Sequence, residues 1–152
     1  PSLGGGKDWP AGAYSPRTGL SYGSSIEGCW VPGEGIGQPG ERTTGAIVAT
    51  NGDGQVTAKL EVPFAPYGGN MSTAGGVTFA STGVGEFFAM NDETLETLFR
   101  FNVGTPLKAP PISFAVGGRQ YIAFQSSGLH VHPVRFTDYQ HSEMLFVFAL
   151  DE

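Results

Sequence analysis

Short apolar runs separated by glycine-rich turns make up most of the chain after residue 44. The runs contain β-branched and aromatic residues, and several alternate between apolar and polar positions, which is typical of β-strands. The pattern therefore predicts an all-β fold. The predicted strands are 19–22, 28–31, 45–50, 55–62, 76–80, 85–90, 98–102, 112–116, 119–124 and 144–150.

The turns between these strands carry the clearest local signals. Residues 51–54, Asn-Gly-Asp-Gly, tolerate positive φ and predict a hairpin, as does the Gly-Gly pair at 117–118. Residues 1–43 are broken by proline and glycine every few positions, and 32–42 is predicted as a loop. The run 144–150 is apolar throughout, so it is predicted as a buried strand that pairs with strands beyond those of this chain.

The segment 91–100, NDETLETLFR, supports two predictions. Asn91 followed by acidic residues, with apolar Leu95, Leu98 and Phe99, is typical of a short helix. An internal repeat favours a turn followed by a strand at the same place.

That repeat consists of an apolar strand, the pattern Ala-x-Asn or Ala-x-Asp, and a polar turn. The three-residue pattern within it begins at Ala49, Ala89 and Ala149. The first two copies lie about 40 residues apart, a period found in propeller blades. Asn51 and Asn91 are expected to cap their turns by accepting backbone N–H bonds. Because a blade has about four strands, the chain supplies roughly two and a half blades of a β-propeller.

Composition narrows the function classes. The chain has 152 residues with 24 glycines, 11 prolines and a net charge of −6. The acidic balance disfavours nucleic acid as a partner, and no apolar run is long enough to span a membrane. Cys29 is the single cysteine, so an internal disulfide is excluded.

Several stretches resemble the pyrroloquinoline-quinone (PQQ) dependent alcohol dehydrogenases. Residues 5–20, GGKDWPAGAYSPRTGL, resemble the family's GG-x-N-W…Y-x-P-x-T-G-L stretch, and 67–76, YGGNMSTAGG, resemble its W-G-G-x-L-x-T-A-G-G stretch. Residues 89–99 resemble the tryptophan-docking repeat of the propeller. Residues 115–123 and 146–150 resemble the penultimate hairpin and the closing strand.

The resemblance implies that residues 1–152 form the last two to three blades of a single eight-bladed propeller domain, open unless further strands complete it. It also implies PQQ near the propeller axis, a Ca²⁺ or lanthanide ion on the quinone, an alcohol substrate, a cytochrome electron acceptor and a periplasmic or secreted location. The remaining blades are the implied partner.

The same resemblance assigns four cofactor-binding residues: Asp8, Trp9, Tyr67 and Gly68. Asp8 stands where the family has Asn, and an ionised carboxylate accepts hydrogen bonds but donates none. Tyr67 replaces the usual Trp as a cover for the planar quinone. The metal ligands and the catalytic Asp belong to earlier blades, so this chain is expected to supply neither, and alone it is expected to be inactive.

The docking repeat departs from the family pattern. Leu95 stands where Gly is usual, Glu96 where Lys is usual and Phe99 where Trp is usual, although Phe99 can still wedge between blades. In the earlier copy, counting from Ala49 places Lys59 at the Trp position. These losses favour a divergent member of the family.

Two alternative functions stay open from the residues. In the first alternative, the chain belongs to a non-catalytic propeller scaffold. In the second, it is a self-contained β-sandwich that binds carbohydrate through Trp9, Trp30 and Tyr22. His130 and His132 have a spacing that suits a metal site if the segment is extended, but a solvated loop is the favoured interpretation.

Overall fold

The computed structural model describes residues 6–7, 9–27, 44–126 and 142–150. Within these residues it contains eleven β-strands and no helix, in agreement with the all-β prediction. The strands are β1 (Ala13–Ser15), β2 (Leu20–Glu27), β3 (Thr44–Thr50), β4 (Val56–Val62), β5 (Asn70–Thr73), β6 (Val77–Ser81), β7 (Glu86–Asn91), β8 (Thr97–Asn102), β9 (Ile112–Val116), β10 (Arg119–Gln125) and β11 (Leu145–Ala149).

The strands form three antiparallel sheets, each a meander in chain order. The first sheet is β1-β2-β3-β4, the second is β5-β6-β7-β8, and the third is β9-β10-β11. The first strands of the first and second sheets, β1 and β5, lie next to each other. Repeated four-stranded meanders packed face to face are the blades of a β-propeller, and the described residues form an open part of one.

The internal repeat is confirmed by the strand register. In each sheet the alanine of the repeat lies on the third strand, directly opposite an aromatic residue of the second strand. In the first two sheets a β-bulge follows that alanine at the strand end. The three opposed pairs are Tyr22–Ala49, Phe79–Ala89 and Tyr121–Ala149.

The two asparagines of the repeat cap their turns as predicted. The Asn51 side-chain oxygen accepts the backbone N–H groups of Asp53 at 3.1 Å and Gln55 at 2.9 Å. The Asn91 side-chain oxygen accepts the N–H of Glu93 at 2.9 Å. A short side chain that satisfies turn donors lets each strand reverse without a helical turn. The helix prediction for residues 91–100 is therefore wrong, and the turn-then-strand prediction is confirmed.

The second of these turns is one residue longer than the first, which changes one assignment. Phe99 lies opposite Ala89, whereas the residue opposite Ala49 is Ala58. The docking position of the first sheet is therefore held by Ala58, and the assignment of Lys59 to it is wrong. Leu95 sits in the longer turn at φ 58°, a left-handed backbone conformation that favours glycine.

Two strands escaped the sequence prediction. β1 has three residues and lies in a stretch rich in proline and glycine, where no run of alternating residues is long enough to predict a strand. β5 has four residues, mostly polar, and follows the two glycines at 68–69. The strand predicted at 28–31 lies outside the described residues.

The second sheet is packed on both faces. One face meets the first sheet in a cluster of buried apolar side chains, and the other meets the third sheet in a cluster of phenylalanines. The third sheet turns Phe124, Phe146 and Phe148 toward the second sheet.

The opposite face of the third sheet is apolar and exposed. The strand register places Ile112, Phe114, Val116, Leu145 and Val147 on it, each between 40% and 68% exposed. The predicted burial of the strand at 144–150 is thus only half met, since Phe146 and Phe148 pack inward while their neighbours point outward.

Candidate functional site

Each long connection between the described strands starts and ends at the same end of the sheets. The links between first and second strands, and between third and fourth strands, are tight turns at the opposite end. The long-loop end carries the segment before β1, the connections 63–69 and 103–111 between sheets, and the turn 82–85. Binding residues collect where connections are longest, so this end is the candidate site.

Three segments at this end lead into the first strand of each sheet. We call them the leads: residues 9–12, 67–69 and 108–111. They touch one another at Gly69. The Asn70 N–H donates to the Ala11 carbonyl at 2.8 Å, and a β-carbon on Gly69 would lie 3.1 Å from Pro110 Cγ and 3.3 Å from Ala11 N.

The glycine pair before β5 is required by this contact. Gly69 has φ +73°, and no β-carbon fits between Ala11 and Pro110 without a shift. A β-carbon on Gly68 would lie 1.6 Å from Ser81 Oγ, so Gly68 is excluded from carrying any side chain. The backbone N–H of Gly68 donates to the Ser81 carbonyl at 3.2 Å. The pair therefore lets the second lead pass flat against its neighbours.

The predicted cofactor residues have different surroundings. Trp9, on the first lead, is 55% exposed, so part of its indole is accessible at the long-loop end. Tyr67, on the second lead, is only 5% exposed and packs with Ile26 and Ala65. Gly68 lies beside Tyr67 against Ser81. Asp8 lies outside the described residues. The structure thus brings the leads of Trp9 and Gly68 together, and it buries the ring of Tyr67.

Buried polar groups lie next to the leads. The Asn70 side chain accepts a hydrogen bond from Ser24 Oγ at 3.1 Å, while its amide nitrogen finds no partner among the described residues. Ser81 Oγ, beside Gly68, also has no partner within the described part of the chain. Buried donors without acceptors are costly, so they mark positions where a bound group or water would be stabilised.

Lys108 begins the third lead and was missed by the sequence prediction. It is 8% exposed, and burial lowers the pKa of its ammonium group. Nothing in the local sequence Pro-Leu-Lys-Ala-Pro-Pro signals this, because the burial arises from the way the lead is held between two sheets.

The described ranges contain no group of three His, Cys, Asp or Glu side chains that could hold a metal ion. His130 and His132 lie outside those ranges. The described residues contain no helix that is long and apolar enough to cross a membrane.

Comparisons with known proteins agree on one group of enzymes, although no family model matches the chain. The chain is 27% identical to the quinohemoprotein alcohol dehydrogenase ADH IIB of Pseudomonas putida over 99% of its length, and 31% identical to a quinoprotein ethanol dehydrogenase of Pseudomonas putida over 78%. It spans 26% and 22% of the lengths of these two relatives.

Solved structures give the same fold. A quinohemoprotein alcohol dehydrogenase from Comamonas testosteroni matches 95% of the chain with a TM-score of 0.77 at 23% identity. A europium-containing methanol dehydrogenase matches 99% of the chain with the same TM-score and identity. The chain covers 26% and 34% of these two structures, so it corresponds to part of a propeller in each.

Proposed function

Because this chain is homologous to a part of the quinoprotein alcohol dehydrogenases, we propose that it is one section of a PQQ- and metal-dependent alcohol dehydrogenase. In this proposal residues 1–152 are the C-terminal segment of a single propeller domain. The section contributes side chains to the cofactor pocket and helps to close the ring. The observation that carries the proposal is the junction of three leads at Gly69, on the long-loop end.

The groups at the junction fit an oxygen-rich planar ligand such as PQQ. Trp9 offers part of an exposed aromatic face, and the Asn70 amide and Ser81 hydroxyl are buried donors without partners among the described residues. Quinone and carboxylate oxygens are the acceptors that such donors need. PQQ, when bound, supplies the two-electron acceptor for alcohol oxidation. The task proposed for this chain is to hold and cover that group through Asp8, Trp9, Tyr67 and Gly68.

The buried position of Tyr67 gives it a specific part in this proposal. A ring that packs with Ile26 and Ala65 supports the second lead from behind and fixes the path of Gly68. Of the two predicted aromatic cofactor residues, Trp9 is then the one exposed for stacking on a planar ligand.

Propeller closure is proposed from the open face of the third sheet. Five apolar side chains, 40% to 68% exposed, form a patch of the kind that monomeric proteins rarely leave uncovered. A further blade, supplied by the rest of the protein, would cover Phe114 and Val147 as the third sheet covers Phe87. The Ca²⁺ or lanthanide ion, the alcohol site and the contact with a cytochrome acceptor are assigned to those other blades, in a periplasmic or secreted enzyme.

The test is reconstitution of the full-length protein that carries this chain. The protein is incubated with PQQ and either Ca²⁺ or a lanthanide, and alcohol-dependent dye reduction is measured together with the absorbance of bound quinone. We expect bound quinone and turnover with at least one ion. Absence of quinone binding with either ion would contradict the proposal and favour a non-catalytic propeller.

A further inference from the structure

We propose that Thr82 is a positioning residue of the candidate site, and that it fixes the second lead relative to the third. Thr82 begins the turn 82–85, which joins β6 to β7 at the long-loop end. The inference rests on the proposed function in one respect, since it takes PQQ as the ligand whose pocket these two leads shape. It assigns no contact between Thr82 and that ligand.

The turn 82–85 is buried along its whole length. Thr82 is 0% exposed, Val84 is 1% exposed, and both glycines of the turn are buried as well. A connection between strands usually lies in solvent, where water satisfies its backbone groups. A buried turn must find its hydrogen-bond partners inside the protein, so those partners identify the segments that the turn holds.

On one side the turn binds the segment that leads into β5. The Gly83 N–H donates to the Ala65 carbonyl at 3.1 Å. One residue before the turn, the Ser81 carbonyl accepts a hydrogen bond from the Gly68 N–H at 3.2 Å. These two bonds lie on either side of residues 66–67, and they fix the second lead against the end of β6.

On the other side the turn binds the connection that leads into β9. The Leu107 N–H donates to the Thr82 carbonyl at 3.3 Å, and the Val103 N–H donates to the Gly85 carbonyl at 2.9 Å. The connection lies so close that a β-carbon on Gly85 would be 2.6 Å from the Thr105 carbonyl oxygen. Because Leu107 immediately precedes the third lead, the turn fixes the point at which that lead begins.

Thr82 holds the turn in the shape that makes both sets of bonds. Its hydroxyl oxygen accepts a hydrogen bond from the Glu86 N–H at 3.2 Å, and its own N–H donates to the Glu86 carbonyl at 2.8 Å. Its carbonyl accepts from the Gly85 N–H inside the turn, at 3.1 Å, as well as from Leu107 outside it. A side-chain oxygen that satisfies a turn donor fixes the turn. Thr82 therefore connects the second lead, through Gly83, to the third lead, through Leu107.

The same two leads also meet at Gly69, where a β-carbon would lie 3.1 Å from Pro110 Cγ. The turn is thus a second place at which they are joined. Segments that are joined at two places are already ordered before a ligand arrives, so binding costs less conformational entropy. A change at Thr82 should therefore weaken ligand binding, although its side chain is buried away from solvent.

The experiment measures the dissociation constant of PQQ on the full-length protein, from the absorbance of bound quinone, for three variants. Thr82→Val keeps the volume and removes the hydrogen-bond acceptor, whereas Thr82→Ser keeps the acceptor. Thr78→Val is the matched control, because Thr78 is equally buried on β6 and its hydroxyl donates to the Met71 carbonyl at 3.2 Å.

We expect Thr82→Val to weaken PQQ binding by about tenfold, which is the size of one buried hydrogen bond, and the other two variants to stay within about threefold. Unchanged affinity of Thr82→Val, or an equal loss in Thr78→Val, would overturn the inference. If Thr82→Val does not fold, Gly85→Ala replaces it, because its methyl group would displace Thr105 from the same turn. A similar loss in Gly85→Ala would support the inference, and unchanged binding would overturn it.

Amide hydrogen exchange of the protein without PQQ separates this inference from the proposed function. Thr82→Val should speed exchange in the peptides covering 64–69 and 103–108 together, and Thr78→Val should speed it in neither. If the wild-type protein binds no PQQ, the proposed function fails, and this paired change would still support the role of Thr82 in joining the leads. Faster exchange in only one of the two peptides, or in neither, would overturn that role whether or not PQQ binds.

Discussion

The two interfaces between the sheets are held together in different ways. Between the first and second sheets, a buried carboxylate at the tight-turn end joins the two sheets in addition to the apolar cluster. Between the second and third sheets, the contact is a stack of phenylalanine rings. Polar contacts there, between Thr105 and Ser142, lie at the long-loop end.

The polar contacts of the first interface are centred on Asp92, which is fully buried. Its carboxylate accepts a hydrogen bond from Ser15 Oγ at 3.1 Å and two from the Arg17 guanidinium, one of them at 3.3 Å. Its backbone carbonyl accepts a hydrogen bond from the Tyr22 hydroxyl. Hydrogen bonds of this kind have narrow geometry, so they fix the position of the first sheet relative to the turn of the second.

The aromatic stack of the second interface is centred on Phe87, which is 2% exposed. Its ring lies 4.2 Å from that of Phe124, 5.8 Å from that of Phe79 and 6.0 Å from that of Phe148, all nearly parallel. Phe99 meets Phe148 edge-on at 6.1 Å, so it still wedges between the second and third sheets. Stacked rings contribute through buried area and tolerate small shifts along the stack.

The comparison bears on the candidate site, because the backbone at Gly69 leaves no room for a β-carbon against Ala11 across the first interface or against Pro110 across the second. Both interfaces are needed to bring the three leads together. We expect the aromatic interface to supply more stability, and the polar interface to supply more of the alignment.

Phe87→Ala should have the largest effect. Truncation of a buried ring that stacks on three others leaves a cavity and is expected to cost about 3–5 kcal/mol. Urea unfolding of the full-length protein measures the loss, and Phe87→Leu, which keeps most of the volume, should lose about half as much. A loss below about 1 kcal/mol for Phe87→Ala would contradict the importance assigned to the aromatic stack.

Asp92→Ala should come next. It leaves Ser15 and part of Arg17 without a partner at a buried site, which is expected to cost about 2–3 kcal/mol, since the exposed part of Arg17 stays solvated. Asp53→Ala, in the exposed turn of the first sheet, is the matched control and should change the urea midpoint little. If the two variants unfold at the same urea concentration, the buried carboxylate does not align the sheets.

Leu95 tests how the same turn balances strain against packing. Its side chain is 2% exposed in the first interface, yet its backbone is left-handed. Leu95→Ala loses the packing and keeps the strain, whereas Leu95→Gly loses the packing and relieves the strain. Leu95→Gly should therefore be more stable than Leu95→Ala by about 1 kcal/mol, the reverse of the usual order. The usual order in urea unfolding would show that the strain is negligible.

The repeat and the turn chemistry could be predicted because they are local. Asn51 marks its turn by residue type alone, whereas Asn91 also fits a helix start and only the repeat favours a turn there. The alanines mark the ends of the third strands. Phe99 could be assigned as a wedge from its distance to Ala89.

The parts that failed depend on contacts between distant segments. Because the second turn is one residue longer than the first, the docking position of the first sheet falls at Ala58 and not at Lys59. A count of residues from Ala49 cannot detect this difference in turn length. The burial of Lys108 and of Tyr67 comes from leads that meet only after three sheets have packed. Two of the four cofactor residues assigned by resemblance, Trp9 and Gly68, lie on neighbouring leads because the hydrogen bond from Asn70 to Ala11 joins those leads.

The smallest effect is expected at Lys59, which forms ion pairs as Asp92 does, but at an exposed site. Its ammonium group lies 3.2 Å from Glu27 and 3.2 Å from Glu61, and these partners raise its pKa above 10.5. Because the folded pKa is the higher one, the pair stabilises the protein fully below pH 10.5, and this contribution is lost as pH rises through the raised value. Lys59→Met should therefore shift the urea midpoint far less than Asp92→Ala, and the small difference from wild type should be constant between pH 7 and 9. A difference that changes across that range would mean that the ammonium group titrates lower, and that Glu27 and Glu61 do not hold it.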